Sequence, residues 1–125
     1  MNTTVLVIAA LSGGMGAALR FVVDASISQR FGKNYPWATN VINASGSLVL
    51  GLLTGLASNG AHYTPLLSIL GVGLIGGYTT FSTASVETVR LLMAHRIAAA
   101  GANAFGSTGL CILLALTGLW LGALA

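Results

Sequence analysis

Charge is what this chain has least of. Among 125 residues there are five Lys or Arg, two Asp or Glu and two His, so charged side chains make up 6%, against about a quarter in soluble domains. A soluble globule needs a charged surface, and this chain cannot supply one. Between Lys33 and Glu87 no side chain carries a formal charge, and none does after Arg96. Cysteine is nearly absent as well. Cys111 stands alone, which excludes an intramolecular disulfide and a cysteine-based metal site. Asp24, Glu87, His62 and His95 are the only candidate acids and bases. All fall at span ends or in loops and none stands beside a nucleophile, so the chain is not read as an enzyme. The basic residues are too few and too scattered to bind nucleic acid, which needs a contiguous patch.

What is present is apolar. Hydrophobic residues make up 55% and the mean hydropathy is +0.89, so the chain is read as an integral membrane protein of a single domain spanning residues 1–125. Four blocks are long enough to cross a hydrocarbon core of about 30 Å: Thr3 to Val23, Pro36 to Ala57, Pro65 to Met93 and Ile97 to Leu124. The fold class is therefore all-α, with four transmembrane helices. Met1-Asn2-Thr3-Thr4 lacks a basic n-region, so the first span is expected to stay in the mature protein. Tyr35, Trp37 and Trp120 suit the interfacial aromatic belt, and Pro36 and Pro65 suit helix starts.

The third block carries the most informative stretch, Gly76-Gly77-Tyr78-Thr79-Thr80-Phe81-Ser82-Thr83. Two glycines and a run of hydroxyls at membrane depth point to loosened backbone, which survives there only when it is buried in protein, binds an ion or lines a wet cavity. At about 29 residues and 1.5 Å each, the block is also too long for one straight crossing. The expectation is two half-helices, Leu66 to Ile75 and Ser82 to Met93, joined by unwound backbone at mid-membrane. Small residues recur four apart at Asn43, Ser47, Gly51 and Gly55, and again at Gly73 and Gly77, which marks faces for close helix contact.

Span interiors hold hydrogen-bond donors without charge. Asn40, Asn43 and Ser47 lie in the second span, Thr79 to Thr83 with Ser85 in the third, and Asn103, Ser107 and Cys111 form an i, i+4, i+8 stripe in the fourth. Amide and hydroxyl donors suit an anion, no acidic ring lines them, and Arg20 stands near the end of the first span. Proton-coupled transport is disfavoured, because the interiors lack an ionisable residue. On the residues alone Asn43, Asn103 and Ser107 read first as glue between helices, and Arg20 reads equally as an interfacial anchor. A structural or assembly protein packing through small-residue faces, or a small multidrug-type exporter, is the alternative. Against the exporter, Asn2 to Leu19 contains no acid.

The third-span motif, with Ser85 and Glu87 following it, Thr39 to Asn43 opening the second span and Arg20 closing the first, resembles the small fluoride-channel family known as CrcB or Fluc. The resemblance covers essentially the whole chain. It implies passive fluoride export across the bacterial cytoplasmic (inner) membrane, by an antiparallel dimer of four-helix subunits with the third helix broken. It places Phe81 and Asn43 at the pore, with Thr80, Ser82, Thr83, Asn103, Ser107 and Arg20 along the route. The backbone carbonyls of Gly76 and Thr79 are implied ligands of a structural sodium ion at the dimer centre. Two positions depart from the family pattern. Ala84 stands where a second phenylalanine is common, and Asn103 where tyrosine is frequent. All five Lys and Arg fall on the side of the first and third turns, a bias under the positive-inside rule. The partner is thus a second copy with dual topology, or alternatively an oppositely oriented relative.

Overall fold

The computed structural model describes residues 2–125 and is built from helices, four of them long and apolar enough to cross a membrane: Thr3–Phe31, Trp37–Ala57, Ala61–Met93 and Ile97–Leu124. The first begins at Asn2, whose side-chain oxygen accepts from the Val5 N–H at 2.9 Å. It runs past the expected end at Val23 to Phe31. Nothing between them breaks a helix. The Ser26 hydroxyl returns to the Val22 carbonyl at 2.9 Å and the Ser28 hydroxyl to Asp24 at 3.0 Å, so the polar side chains are satisfied along the helix itself. Gly32 then stops it with φ 77, its N–H on the Ser28 carbonyl at 2.8 Å. Arg20 consequently sits well inside a helix and not at its end.

The third span is composite. A short 3₁₀ turn at Ala61–Tyr63 leads into helix from Thr64, with π-helical geometry over Leu67–Ile75 and a last α-turn at Gly76–Tyr78. Thr79 is extended, at φ −80 and ψ 162, and helix resumes over Ser82–Met93. Gly76, Gly77 and Tyr78 are thus helical, where loosened backbone was expected from Gly76 onward. Their packing explains it. Gly77 lies so close to the Gly13 main chain that a Cβ would collide with it. The Tyr78 ring is buried with Ile42 and Ile75, and its hydroxyl meets that of Ser45 at 3.1 Å.

Close contact between glycines organises the bundle. The second and fourth spans share the most extensive helix contact. A Cβ at Gly51 would collide with the Ala115 carbonyl, one at Gly55 with Leu119, one at Gly118 with Leu48 and one at Gly122 with Leu52. Gly16 and Gly73 play the same part between the first and third spans, against Leu74 and Ala9. Lipid tails are as apolar as leucine, so packing at short range holds such helices together, and small residues permit it. Apolar side chains such as Leu11, Met15, Phe21 and Leu113 are exposed on the outer faces, as a lipid-facing surface requires.

Candidate functional site

Where helix stops at Tyr78, main-chain groups lose their helical partners and other elements supply new ones. In an uninterrupted helix the Thr80 N–H would bond to the Gly76 carbonyl. Here it donates to Asn43 Oδ1 at 2.8 Å, while Asn43 Nδ2 donates to the Thr80 carbonyl at 2.7 Å. One amide of the second span therefore clamps both polar groups of a single residue. Arg20 Nη1 donates to the Thr79 carbonyl at 3.3 Å. The Thr80 hydroxyl accepts from the Thr83 N–H at 3.2 Å and donates to the Thr83 hydroxyl at 3.1 Å, which caps the helix that follows. Protein groups thus partner the Thr80 N–H and the Thr79 and Thr80 carbonyls where the helix is interrupted.

Beside it lies an open groove of about 700 Å³, lined among others by Asn43, Ser47, Thr80, Phe81, Asn103 and Ser107. No Asp, Glu, Lys, Arg or His lines it. The Phe81 ring stands 88% exposed at its edge. A cavity of about 200 Å³ with Arg20, Thr39 and Thr83 shares Thr80 with the groove. A third of about 590 Å³, holding Lys33, Ser82, Glu87, Arg90 and Arg96, shares Asp24 and Thr83 with the second. The three form a series from a charged end to an uncharged groove.

Of the residues singled out from sequence, Asn43, Thr79, Thr80, Phe81, Asn103 and Ser107 meet at the groove. Arg20 and Thr83 lie in the small cavity and Ser82 in the charged one, while Gly76 is exposed and lines none of these three. Two donors are committed within the chain. Asn103, 3% exposed, gives its amide protons to the Thr88 hydroxyl at 2.8 Å and the Ala84 carbonyl at 3.3 Å, leaving Oδ1 buried without a partner. The Ser107 hydroxyl donates to Asn40 Oδ1 at 2.5 Å.

Sequence reasoning missed Thr39 and Tyr78. Thr39 is buried at 4% exposure and its hydroxyl faces Glu87, whose Oε1 lacks a partner. Its spacing of four from Asn43 was the available signal, since both fall on one face of the second span.

The proposed ligands of a sodium ion suit a hard cation in kind. Diverting the Thr80 N–H to Asn43 frees the Gly76 carbonyl from its helical donor. The Thr79 carbonyl keeps a second lone pair beside its bond from Arg20.

Fold and groove together define a small multi-pass membrane protein with an uncharged polar site beside a non-helical stretch of its third span. The chain belongs to the CrcB family, whose description, CrcB-like protein, Camphor Resistance (CrcB), matches residues 7–119. It is 44% identical over 125 residues to "Fluoride-specific ion channel FluC 1" of Leifsonia xyli subsp. xyli, covering 100% of this chain and 91% of that one. It is 43% identical over 114 residues to FluC 2 of Cutibacterium acnes, covering 90% and 93%. To FluC of Thermus thermophilus it is 41% identical over 113 residues, covering 90% and 89%.

Proposed function

We propose that this chain forms a fluoride channel of the bacterial cytoplasmic (inner) membrane, through which fluoride leaves the cell passively. The observation that carries the reading is the groove. It gathers neutral amide and hydroxyl groups around Phe81 and holds no acidic residue, in a chain whose full length aligns with a protein named a fluoride-specific ion channel. Moving a bare anion into hydrocarbon costs tens of kcal/mol by a Born estimate, and each hydrogen bond to a charged group returns about 1.5 to 3 kcal/mol. A route therefore needs several donors and retained water. No pump is required, because an inside-negative potential favours anion exit by about 2.3 kcal/mol per charge per 100 mV.

In this reading fluoride passes the charged cavity and the small cavity at Arg20, then the groove. Ser82 and Thr83 offer hydroxyls along the way, and Asn43 retains one amide proton beyond the one it gives to the Thr80 carbonyl. Phe81 presents the positive edge of its ring. Asn103 and Ser107 form the far wall, with Ala84 leaving room where the family pattern commonly has a second ring.

The functional unit is an antiparallel dimer in which the non-helical stretches of the third spans lie at mid-membrane near a shared two-fold axis. There the carbonyls of Gly76 and Thr79 from each copy would repel one another. A sodium ion held by them would supply the compensating charge. The chain is read as its own partner in dual topology, with an oppositely oriented relative as the alternative. The reading is tested by expression in a bacterium stripped of its fluoride exporters. Growth in millimolar fluoride is expected to return with the wild-type chain, and continued fluoride sensitivity despite normal membrane levels would reject it.

A further inference from the structure

A donor can serve a passing anion fully only if its proton is not already given to the protein. By that criterion the polar residues of the groove divide. Ser107 gives its proton to Asn40 and Asn103 gives both amide protons to Thr88 and Ala84. Ser85 and Thr108 return theirs to the carbonyls of Phe81 and Ala104 one turn back on their own helices. Ser47 is different. Its half-buried side chain lines the groove and has no hydrogen-bond partner among the described residues. It stands one helical turn from Asn43, on the same face. Serine in a helix commonly bonds back to a carbonyl of the preceding turn, as Thr54 does to Leu50 in the same helix at 2.8 Å. Ser47 does not, so its hydroxyl is available to whatever occupies the groove.

We infer that Ser47 is an ion-contacting residue, which together with the remaining amide proton of Asn43 forms a binding step for a small, strongly hydrated anion. Asn103 and Ser107 act as positioning residues that tie the fourth span to its neighbours. Asn103 fastens Ser82–Met93, the helix that begins beside Phe81, and it does so from a π-helical turn, Ala102–Gly106. Asn103 is only 3% exposed and both its amide protons are taken by the chain, so it has no free donor to give an anion.

The assignment rests on the fluoride-channel reading, and the test separates the two by including wild-type protein. Fluoride efflux from liposomes is measured for wild type, Ser47→Ala, Ser47→Thr, Asn103→Ala, Thr88→Val and the Asn103→Ala/Thr88→Val pair, over a range of internal fluoride. If the wild type passes no fluoride, the channel reading fails. Given wild-type flux, Ser47→Ala is expected to lower it about tenfold and raise the half-saturating fluoride concentration, the loss of one hydrogen bond to a charged group. Ser47→Thr, which keeps the hydroxyl, is expected to recover most of that loss. The paired variant should lose no more than Asn103→Ala alone, since one strap is cut in either case. Wild-type saturation in Ser47→Ala, or failure of threonine to rescue it in a folded dimer, would overturn the role of Ser47. Multiplying losses in the pair would overturn the strap and return Asn103 to the ion's contacts.

Discussion

Asn43 concentrates the most consequence in one side chain, because its amide satisfies both the N–H and the carbonyl of Thr80 at 2.8 and 2.7 Å. Asn43→Ala leaves both main-chain groups without a protein partner and removes a donor from the groove. It is expected to cost on the order of 2 kcal/mol in stability and to lower flux, read by thermal unfolding in detergent beside fluoride efflux. Asn43→Asp keeps an acceptor for the Thr80 N–H but places a negative charge on the route, so its flux should fall further still. Equal flux in all three proteins would leave Asn43 a clamp alone. His95 offers a prediction independent of permeation. It takes φ 58 at the turn after Met93, where the Arg96 N–H bonds to the Leu91 carbonyl at 2.9 Å and the His95 N–H to Leu92 at 3.0 Å. That left-handed position favours glycine. His95→Gly should therefore stabilise the protein by about 1 kcal/mol, seen as a higher unfolding temperature, and an unchanged or lower one would contradict the account of this turn.

At the scale of helices, the crossing of the second and fourth spans makes the sharpest demand. Gly51→Ala would drive a methyl group into the Ala115 carbonyl, whereas a Cβ at Gly109 meets nothing within 4 Å. The first substitution is expected to cost about 1 to 3 kcal/mol through forced separation of the helices. The second should be neutral or gain up to about 1 kcal/mol from helix propensity. Similar unfolding temperatures for the two variants would remove this crossing from the account. Much of this level was readable from residue types. The four spans follow from the missing charge, and the contact faces from glycines and serines repeated every four residues. The end of the first helix was not readable, because Arg20 and Asp24 look like a boundary while Ser26 and Ser28 satisfy their polarity locally. Nor was the commitment of Asn103 and Ser107. A stripe of donors on one helix does not reveal which acceptors tertiary packing brings to it, and Thr88 and Asn40 arrive from other spans. The helical state of Gly76 to Tyr78 escaped for a related reason. Two glycines loosen a helix in isolation, and contact with Gly13 restores it.

For the molecule as a whole, charge asymmetry and assembly come together. Lys33, Arg90 and Arg96 share one cavity, and Arg96 reaches the main chain and side chain of Asn34, tying the first turn to the third. A dual-topology homodimer nevertheless predicts that Lys33→Cys and Ala61→Cys, each in a Cys111→Ser background, are both labelled by an impermeant maleimide in part of the population of intact cells. Exclusive labelling at Ala61 would show a single orientation and require an oppositely oriented relative. Phe81, 88% exposed on the single subunit, leaves no cavity within its own subunit when truncated. Phe81→Ala is therefore expected to lower flux about tenfold, equivalent to about 1.4 kcal/mol of lost ring-edge stabilisation, without loss of dimer yield. Wild-type flux in a folded Phe81→Ala dimer would remove the ring from the route. The most direct test of the central claim is fluoride efflux from proteoliposomes holding the purified protein, followed by a fluoride electrode with chloride-loaded vesicles in parallel. The account predicts rapid fluoride release that stops when the membrane potential opposes it, with chloride retained. Fluoride release no faster than from protein-free vesicles, or equal release of chloride, would contradict it.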